Sequence, residues 1–321
     1  MSFKLLFIIL PLFALFFSCS DPEEEQKARS DSNTSNLFQA QKEEDKDLEQ
    51  YKENLKTLGF VLVKAGEFEM GSPANEPGRP PQAKDDEKQV EVKITNSFFI
   101  GKFEVSNAEW ALVWSEPGED DLPSKPVVEV SYSRAVQFCK EWTRQLKLMD
   151  LLPEKMICRL PTEAEWEFAC RAGNDGVHGF GGFDTNESDP LEFKKFKNVL
   201  KPDDANFLSS TTSRKPSMVY GSDWNEYSFK DYSKNQWDIY HMHGNVREWC
   251  YDVYEIDYSD AIDGNTSIDP MGPLKGKYRV LRGGSYNTTW EKCRAAARDF
   301  AEPYVGREDI GFRVVIGYPI R

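Results

Sequence analysis

The apolar positions of the chain are grouped in short blocks over most of its length. Residues 60–63 form a continuous apolar run that predicts a buried strand. Val90, Val92 and Ile94 alternate with charged residues, which predicts a half-exposed strand. Residues 98–105 predict a further, more buried strand. The pattern therefore predicts several short strands rather than long regular elements.

Helices are indicated by capping signals between these strands. Ser106 and Glu109 have the spacing of a capping box just before an apolar helical pattern, and Thr162 and Glu165 repeat that spacing. A third helix is predicted where Ala135, Phe138, Cys139, Trp142 and Leu146 fall on one face. Residues 171–235 contain many Gly, Asp, Asn and Ser and predict a long loop region.

The N-terminal residues have the pattern of an export signal. Lys4 precedes an apolar run over residues 5–17, which is too short to span a bilayer comfortably. The run ends in Phe-Phe-Ser-Cys, which resembles a bacterial lipobox. We interpret residues 1–18 as a signal peptide and Cys19 as the lipidated first residue of an exported lipoprotein, anchored at the outer membrane or cell surface. An ordinary secretory signal with an incidental cysteine is the alternative.

The residues after Cys19 are polar and acidic, which predicts a flexible tether over residues 19–57 and a folded domain over residues 58–321. Near the end of this tether, an apolar residue recurs at helical spacing and predicts a short amphipathic helix that leads into the domain. The residues that carry this spacing are Leu48, Tyr51, Leu55 and Leu58.

Net charge excludes one class of partner. The formal charge of −14 argues against nucleic acid, whose phosphates require a basic surface. Apart from Cys19, five cysteines remain, an odd number for an oxidising compartment. A bridge between Cys250 and Cys293 is one possibility, while Cys139 and Cys170 are either buried free thiols or a second bridge.

Several ordered blocks between residues 60 and 315 resemble one known family. They are residues 66–72 (GEFEMGS), 159–167 (RLPTEAEWE), 241–250 (HMHGNVREWC), 279–285 (RVLRGGS) and 311–313 (GFR). This set is similar to the formylglycine-generating enzyme, or sulfatase-modifying factor, family. The resemblance implies an α+β domain with a C-type-lectin-like fold, little regular secondary structure and long packed loops. It also points to the variable proteins of diversity-generating retroelements, which share this fold.

Active members of this family hold copper, and the resemblance indicates which positions of this chain correspond to that site. Two cysteines there hold the ion that oxidises a substrate cysteine to formylglycine. Counting from Gly283, these positions correspond to Thr288 and Cys293, and Ser285 matches an active-site serine. Because a hydroxyl is a poor ligand for Cu(I), Thr288 predicts that copper is not bound. Cys293 and Ser285 are catalytic candidates only if the chain is an enzyme after all.

The resemblance also implies a structural calcium site. Asn245 and Glu248 match side-chain ligands of a turn in the family, and calcium prefers such oxygen donors. The alternative is that Asn245 caps the turn and Glu248 pairs with an arginine.

The loops between the last two blocks are rich in aromatic and small polar residues, a composition typical of binding surfaces. We predict a non-catalytic domain that binds a protein or glycan ligand outside the cytoplasm through these loops. The predicted contact residues are Tyr286, Asn287, Thr288, Thr289, Trp290, Asp299, Phe300, Tyr304 and Glu308. The alternatives are inward packing of Trp290 and Phe300, and a copper-dependent formylglycine-generating oxidoreductase.

Overall fold

The computed structural model describes residues 48–81, 86–114, 122–179, 200, 204–209, 234–256 and 267–320. The predicted signal peptide, Cys19 and most of the predicted tether lie outside these ranges, as does most of the predicted loop region over residues 171–235. The chain divides into two units, Met1–Lys46 and Asp47–Arg321. All that follows concerns the second unit.

The second unit combines helices with short strands. The helices of the described ranges are α1 (48–57), α2 (Asn107–Trp114), α3 (Tyr132–Leu148) and α4 (Glu163–Arg171), and a 3-10 helix spans Trp290–Cys293. The first five strands are β1 (Phe60–Val63), β2 (Gly66–Met70), β3 (Val90–Ile94), β4 (Phe98–Gly101) and β5 (Ile157–Arg159). The remaining strands are β6 (Arg247–Val253), β7 (Ser267–Ile268), β8 (Arg279–Arg282), β9 (Asp299–Ala301), β10 (Ile310–Gly311) and β11 (Val315–Gly317).

These strands form three small sheets. Their orders are β1-β4-β11-β5, β10-β6-β8-β9 and β2-β3-β7. In the second sheet β8 pairs antiparallel with both β6 and β9, so that Val280 lies opposite Phe300. The predicted strands over residues 60–63 and 90–94 are confirmed as β1 and β3, and the strand predicted over residues 98–105 is the shorter β4. The mixed architecture confirms an α+β fold with little regular structure.

Local capping explains where two of the helices begin. At α4, the Thr162 hydroxyl accepts from the Glu165 backbone N–H, and the Glu165 carboxylate accepts from the Thr162 N–H. At α2, Ser106 and Glu109 exchange equivalent bonds. Both predicted capping boxes are confirmed, and each satisfies backbone donors that the first helical turn leaves without partners.

Helix α1 belongs to the core of the compact unit. Leu48 and Leu55 are 3% and 0% exposed, and both join the cluster that contains Phe138, Trp249 and Phe312. The structure therefore places residues 48–57 in the folded unit rather than in the predicted tether. The predicted amphipathic helix is present, but its apolar face covers the core instead of only leading toward it.

The three glutamates of the RLPTEAEWE block that lie on α4 form buried ion pairs with four arginines. Glu163 binds Arg298 at 2.7 Å, Glu165 binds Arg159 at 2.6 Å, and Glu167 binds both Arg171 and the Arg282 guanidinium. The Glu163–Arg298 and Glu167–Arg282 pairs join α4 to distant segments of the domain. The Glu165–Arg159 pair joins α4 to the strand before it, and the Glu167–Arg171 pair lies within the helix. Because breaking one buried partner leaves an uncompensated charge, these contacts fix how the family blocks meet.

Candidate functional site

Two adjacent glycines begin the loop that carries the candidate catalytic residues. Gly283 and Gly284 have φ values of +90° and +69°, which side-chain-bearing residues rarely adopt. A Cβ atom on Gly284 would lie 2.6 Å from the Cys293 sulfur, and one on Gly283 would lie 3.2 Å from the Trp166 ring. Both glycines are therefore required by backbone conformation and by the lack of space around them.

Thr288 and Cys293 face each other across this loop. The Thr288 hydroxyl lies 3.7 Å from the Cys293 sulfur, and that sulfur also lies 3.6 Å from the Thr289 carbonyl oxygen. The Cys293 side chain is 0% exposed and packs among Leu200, Ala205, Phe207 and Trp290. Burial raises the pKa of its thiol to about 12, which the Thr288 hydroxyl partly opposes. The structure thus brings the two family positions together, with one thiol and one hydroxyl.

Ser285 is bound into a network of charged side chains. Its hydroxyl donates to the Asp309 carboxylate at 2.9 Å, and Arg247 donates to Asp309 at 2.6 Å and to Asp299 at 2.8 Å. Arg247, which replaces a tryptophan of the family block, and Asp309 were not among the predicted site residues. Only this departure from the family pattern marked Arg247 in the sequence. The network holds the start of β6, the serine loop and the start of β9 in one arrangement.

The predicted contact residues fall into three groups by exposure. Tyr286 is buried, and its hydroxyl lies 3.5 Å from the Glu308 carbonyl oxygen. Trp290 is half-buried against Gly78, where a Cβ atom would lie 2.6 Å from its ring. Thr288 and Asp299 are also half-buried, whereas the exposed members are Asn287, Thr289, Phe300, Tyr304 and Glu308. Trp290 therefore packs partly inward, as the alternative prediction for this residue proposed.

Phe300 is the middle of a column of aromatic rings. It stacks on Tyr254 with ring centroids 4.3 Å apart, and it contacts Tyr278 in a tilted arrangement at 4.8 Å. The Arg298 guanidinium lies over Tyr254 and the Lys277 ammonium over Tyr278, each 4.9 Å from the ring centroid. We call these three rings the aromatic column. Tyr254 and Tyr278 escaped the sequence prediction because the column forms only when β6, β8 and β9 pair.

Tyr304 is held beside the aromatic column by a chain of polar contacts. Its hydroxyl bonds to the Glu302 carboxylate, which binds the Lys277 ammonium at 2.9 Å. Lys277 in turn lies 3.1 Å from the Tyr278 hydroxyl. The Tyr304 ring is 71% exposed and Phe300 is 40% exposed. These two side chains are therefore presented to solvent from fixed supports.

Asn245 and Glu248, the predicted calcium ligands, are engaged by protein groups. Glu248 lies on β6 rather than in a turn and accepts from both arms of the Arg313 guanidinium, at 2.6 and 2.7 Å, and from the Trp166 indole at 2.7 Å. Asn245 has a φ of +66° and donates to Glu104 at 2.9 Å. The structure therefore shows the arginine pairing of the alternative, and an ion at Glu248 would have to displace Arg313.

The cysteines and histidines of the domain have structural contacts. All five cysteines outside the N-terminal segment are buried and free, so neither of the possible bridges is formed. His243 donates from Nδ1 to the Cys293 carbonyl oxygen at 2.7 Å and accepts at Nε2 from the Gly179 N–H at 2.9 Å. Burial lowers the pKa of His243 to about 4, so the ring is neutral at physiological pH.

Two kinds of feature are absent from the described part of the chain. Across the ranges that the structure covers, no group of three or more His, Cys, Asp or Glu side chains has the proximity to hold a metal ion. None of the helices in the same ranges combines the length and apolar character that crossing a membrane requires.

Comparison with known proteins agrees with this architecture. Residues 44–318 match the family model of the sulfatase-modifying factor enzyme 1-like domain, so the chain belongs to this family. The chain is 31% identical over 198 residues to the formylglycine-generating enzyme of Thermomonospora curvata, covering 60% of this chain and 56% of that enzyme. It is 26% identical over 271 residues to the serine/threonine-protein kinase pkn1 of Chlamydia pneumoniae, covering 79% of this chain and 37% of the kinase.

The fold is shared with a solved variable protein. Treponema denticola variable protein 1 matches with a TM-score of 0.58 and 23% identity, covering 80% of this chain and 94% of that protein. This likeness confirms the predicted fold class. The chain spans only about a third to a half of the length of the kinase and the enzyme it matches. The family includes formylglycine-generating enzymes.

Proposed function

We propose that this protein is a non-catalytic binding protein of the bacterial cell envelope, which contacts a protein or glycan ligand through its C-terminal loops. The observation that carries this proposal is the pair formed by Thr288 and Cys293. The two side chains lie 3.7 Å apart. By the resemblance they correspond to the family's two copper-binding cysteines, yet only one of them supplies sulfur. A single buried thiol and a hydroxyl are a poor site for Cu(I), which prefers thiolates.

The surroundings of Cys293 support the same conclusion. The sulfur is inaccessible to solvent, and its raised pKa keeps the thiol protonated at neutral pH. The Ser285 hydroxyl donates a hydrogen bond to the Asp309 carboxylate within a network of charged side chains, which is consistent with a structural role. The C-terminal loops expose several polar and aromatic side chains to solvent, on backbone that is held by hydrogen bonds.

An oxidation assay tests the proposal. The full chain is incubated with Cu(I), oxygen and a sulfatase-type peptide that contains the substrate cysteine, and aldehyde formation is followed by mass spectrometry. We expect no aldehyde from the wild-type chain. Formation of aldehyde that disappears in the Cys293→Ser variant would establish the alternative, a formylglycine-generating oxidoreductase, and remove the proposed function.

A matched variant makes a negative result in this assay informative. Thr288→Cys restores the second sulfur at a position already 3.7 Å from the first. We expect this variant to bind Cu(I) about tenfold more tightly than wild type, measured by competition with a Cu(I) chelator, because a second thiolate would give the ion two sulfur ligands. Equal affinity of the two proteins would mean that the loop does not have the assumed geometry.

The cellular location is the second part of the proposal. The lipobox-like Cys19 and the polar residues after it favour a lipid-anchored protein exposed at the outer membrane or cell surface. Cys19→Ala is expected to move the protein from the membrane fraction to the soluble fraction. Unchanged membrane association of that variant, with the signal still cleaved, would show that the anchor lies elsewhere.

A further inference from the structure

Two exposed aromatic side chains lie on or just beyond one edge strand. Phe300 on β9 and Tyr304 beyond it are exposed, and Leu274, which precedes the neighbouring strand β8, is 89% exposed. Other exposed apolar side chains, such as Leu112 and Leu148, lie on the helices. Strand β9 is the last strand of the sheet β10-β6-β8-β9 within the described ranges. Exposed aromatic rings at such an edge are the side-chain type that interfaces favour.

The same edge has an unusual charge for this protein. The chain contains 54 acidic and 40 basic residues, yet residues 270–290 include no Asp or Glu. Lys275 and Lys277 are exposed within that stretch, and Arg279 is half-buried beside them. The nearby carboxylate of Glu302 is engaged by Lys277 and Tyr304, while Glu255 is exposed next to Tyr254. Lys275 thus adds positive charge to the surface of an otherwise acidic molecule.

The geometry of the aromatic column indicates what kind of group it can contact. Phe300 and Tyr254 are stacked at 4.3 Å with an angle of 28° between their planes, so nothing can insert between these two rings. Tyr278 is tilted by 53° against Phe300, with ring centroids 4.8 Å apart. Phe300 therefore meets its two neighbours at different angles, and the three rings do not form one flat face. Because aromatic rings prefer offset and edge-to-face contacts with one another, an aromatic side chain of a protein is the better match.

We propose that the aromatic column, together with Tyr304, Lys275 and Lys277, is a docking surface for an acidic segment of a partner protein. An apolar or aromatic side chain of that segment contacts Phe300 and Tyr304. Its flanking carboxylates face Lys275 and compete with Glu302 for Lys277. Aromatic anchors with a charged rim are the usual composition of such interfaces. The proposal rests on the proposed binding function, since it names the chemistry of the ligand for part of the same C-terminal surface.

A model polymer tests this chemistry without knowledge of the natural partner. A fluorescently labelled random copolymer of glutamate and tyrosine is titrated with the full chain, and binding is followed by anisotropy. Polyglutamate and dextran sulfate serve as comparison ligands, since they carry negative charge without aromatic side chains. We expect the copolymer to bind at least about tenfold more tightly than either comparison ligand, because only it supplies both anchors and charges.

Variants connect the binding to these residues. Tyr304→Ala and the double change Lys275→Ala/Lys277→Ala are each expected to weaken copolymer binding about tenfold. The matched control is Lys52→Ala/Lys56→Ala on α1, which removes two ammonium groups whose side chains are 43% and 62% exposed and should change binding less than about twofold. Phe300→Leu removes the aromatic ring that contacts both Tyr254 and Tyr278, and it is expected to weaken copolymer binding as well. Thermal melting confirms that each variant is folded.

Each contrary outcome overturns the proposal in a recognisable way. Absence of copolymer binding removes it, and an equal loss from the α1 lysine variant shows general charge attraction. Dextran sulfate binding as tightly as the copolymer shows a surface for anionic glycans instead. None of these outcomes affects the oxidation assay. Aldehyde formation in that assay removes the proposed function, whereas a failed titration with no aldehyde leaves the non-catalytic function standing.

Discussion

The carboxylates around α4 and the side chains around β9 use similar chemistry for opposite purposes. At α4, Glu163 and Glu167 are almost fully buried and bind buried arginines. At β9, Glu302 binds Lys277 at 2.9 Å in a pair that is largely exposed. Buried pairs are costly to break, whereas exposed pairs contribute little to stability. The first region therefore holds the family blocks together, and the second can change its partners without unfolding the domain.

The largest expected effect comes from breaking the buried network. Arg282→Met leaves Glu167 without its main partner on β8 and removes a bond of 2.7 Å to the Ala297 carbonyl oxygen. We expect the free energy of unfolding to fall by about 3–5 kcal/mol, measured by urea denaturation. The control is Arg144→Met, which removes an exposed pair with Glu141 and should leave the urea midpoint almost unchanged. Similar losses in the two variants would contradict the division between the regions.

Trp290 and Tyr304 sharpen the comparison within the predicted binding loops. Trp290 is half-buried between Gly78 and the cluster around Cys293, so Trp290→Ala should cost roughly half of the 3–5 kcal/mol expected for a fully buried tryptophan. Tyr304→Ala removes an exposed ring and should leave the melting temperature nearly unchanged. Thermal denaturation distinguishes the two. If the Trp290→Ala protein is as stable as wild type, Trp290 does not contribute to the core, and the prediction that it is a contact residue stands.

Asp252 offers a smaller test through pH. Burial raises the pKa of Asp252 to about 8, and neighbouring Glu163 adds to the rise. The folded state then keeps a proton that the unfolded state loses near pH 4, so this group stabilises the fold most at low pH. Its contribution falls as pH rises toward 8, by up to about 1.4 kcal/mol per pH unit.

The Asp252→Asn variant should remove this pH dependence. Asparagine stays neutral and retains an oxygen that can accept from the Glu163 N–H, as Asp252 does at 2.7 Å. Stability measured by urea denaturation should therefore decline less between pH 5 and 8 than in wild type. Asp238→Asn is the control, because its exposed side chain pairs with Lys234 and its pKa is lowered, which places its titration below this window. An unchanged slope in Asp252→Asn would mean that Asp252 is ionised in the fold.

The sequence predicted best what is local. The capping boxes at α2 and α4 join residues three positions apart, and both are present as expected. The contacts it missed join distant segments: Glu163 and Arg298 are 135 positions apart. The helical spacing of Leu48 and Leu55 was visible, but acidic neighbours favoured a tether, because spacing alone does not show which surface an apolar face covers.

The candidate site was predicted in outline rather than in detail. The family blocks correctly brought Thr288 and Cys293 to one place, since both follow the same glycine turn. The aromatic column depended on register between three strands that lie far apart in the sequence, so Tyr254 and Tyr278 gave no local signal. Glu248 was wrongly predicted to lie in a turn because Gly244 and Asn245 do adopt positive φ, whereas the strand begins two residues after Asn245, at Arg247.

The glycine pair before Ser285 has a consequence for how this protein can evolve. Neither glycine tolerates a side chain, since a Cβ on Gly284 would meet the Cys293 sulfur and the Lys292 backbone. Asn287 and Thr289, only a few positions later, are exposed. Substitutions are therefore tolerated at some of these neighbouring positions and not at others. A lineage can sample many residues at the exposed positions while the chain still enters the loop in one conformation. Under the proposed binding function, new specificities therefore need not put folding at risk.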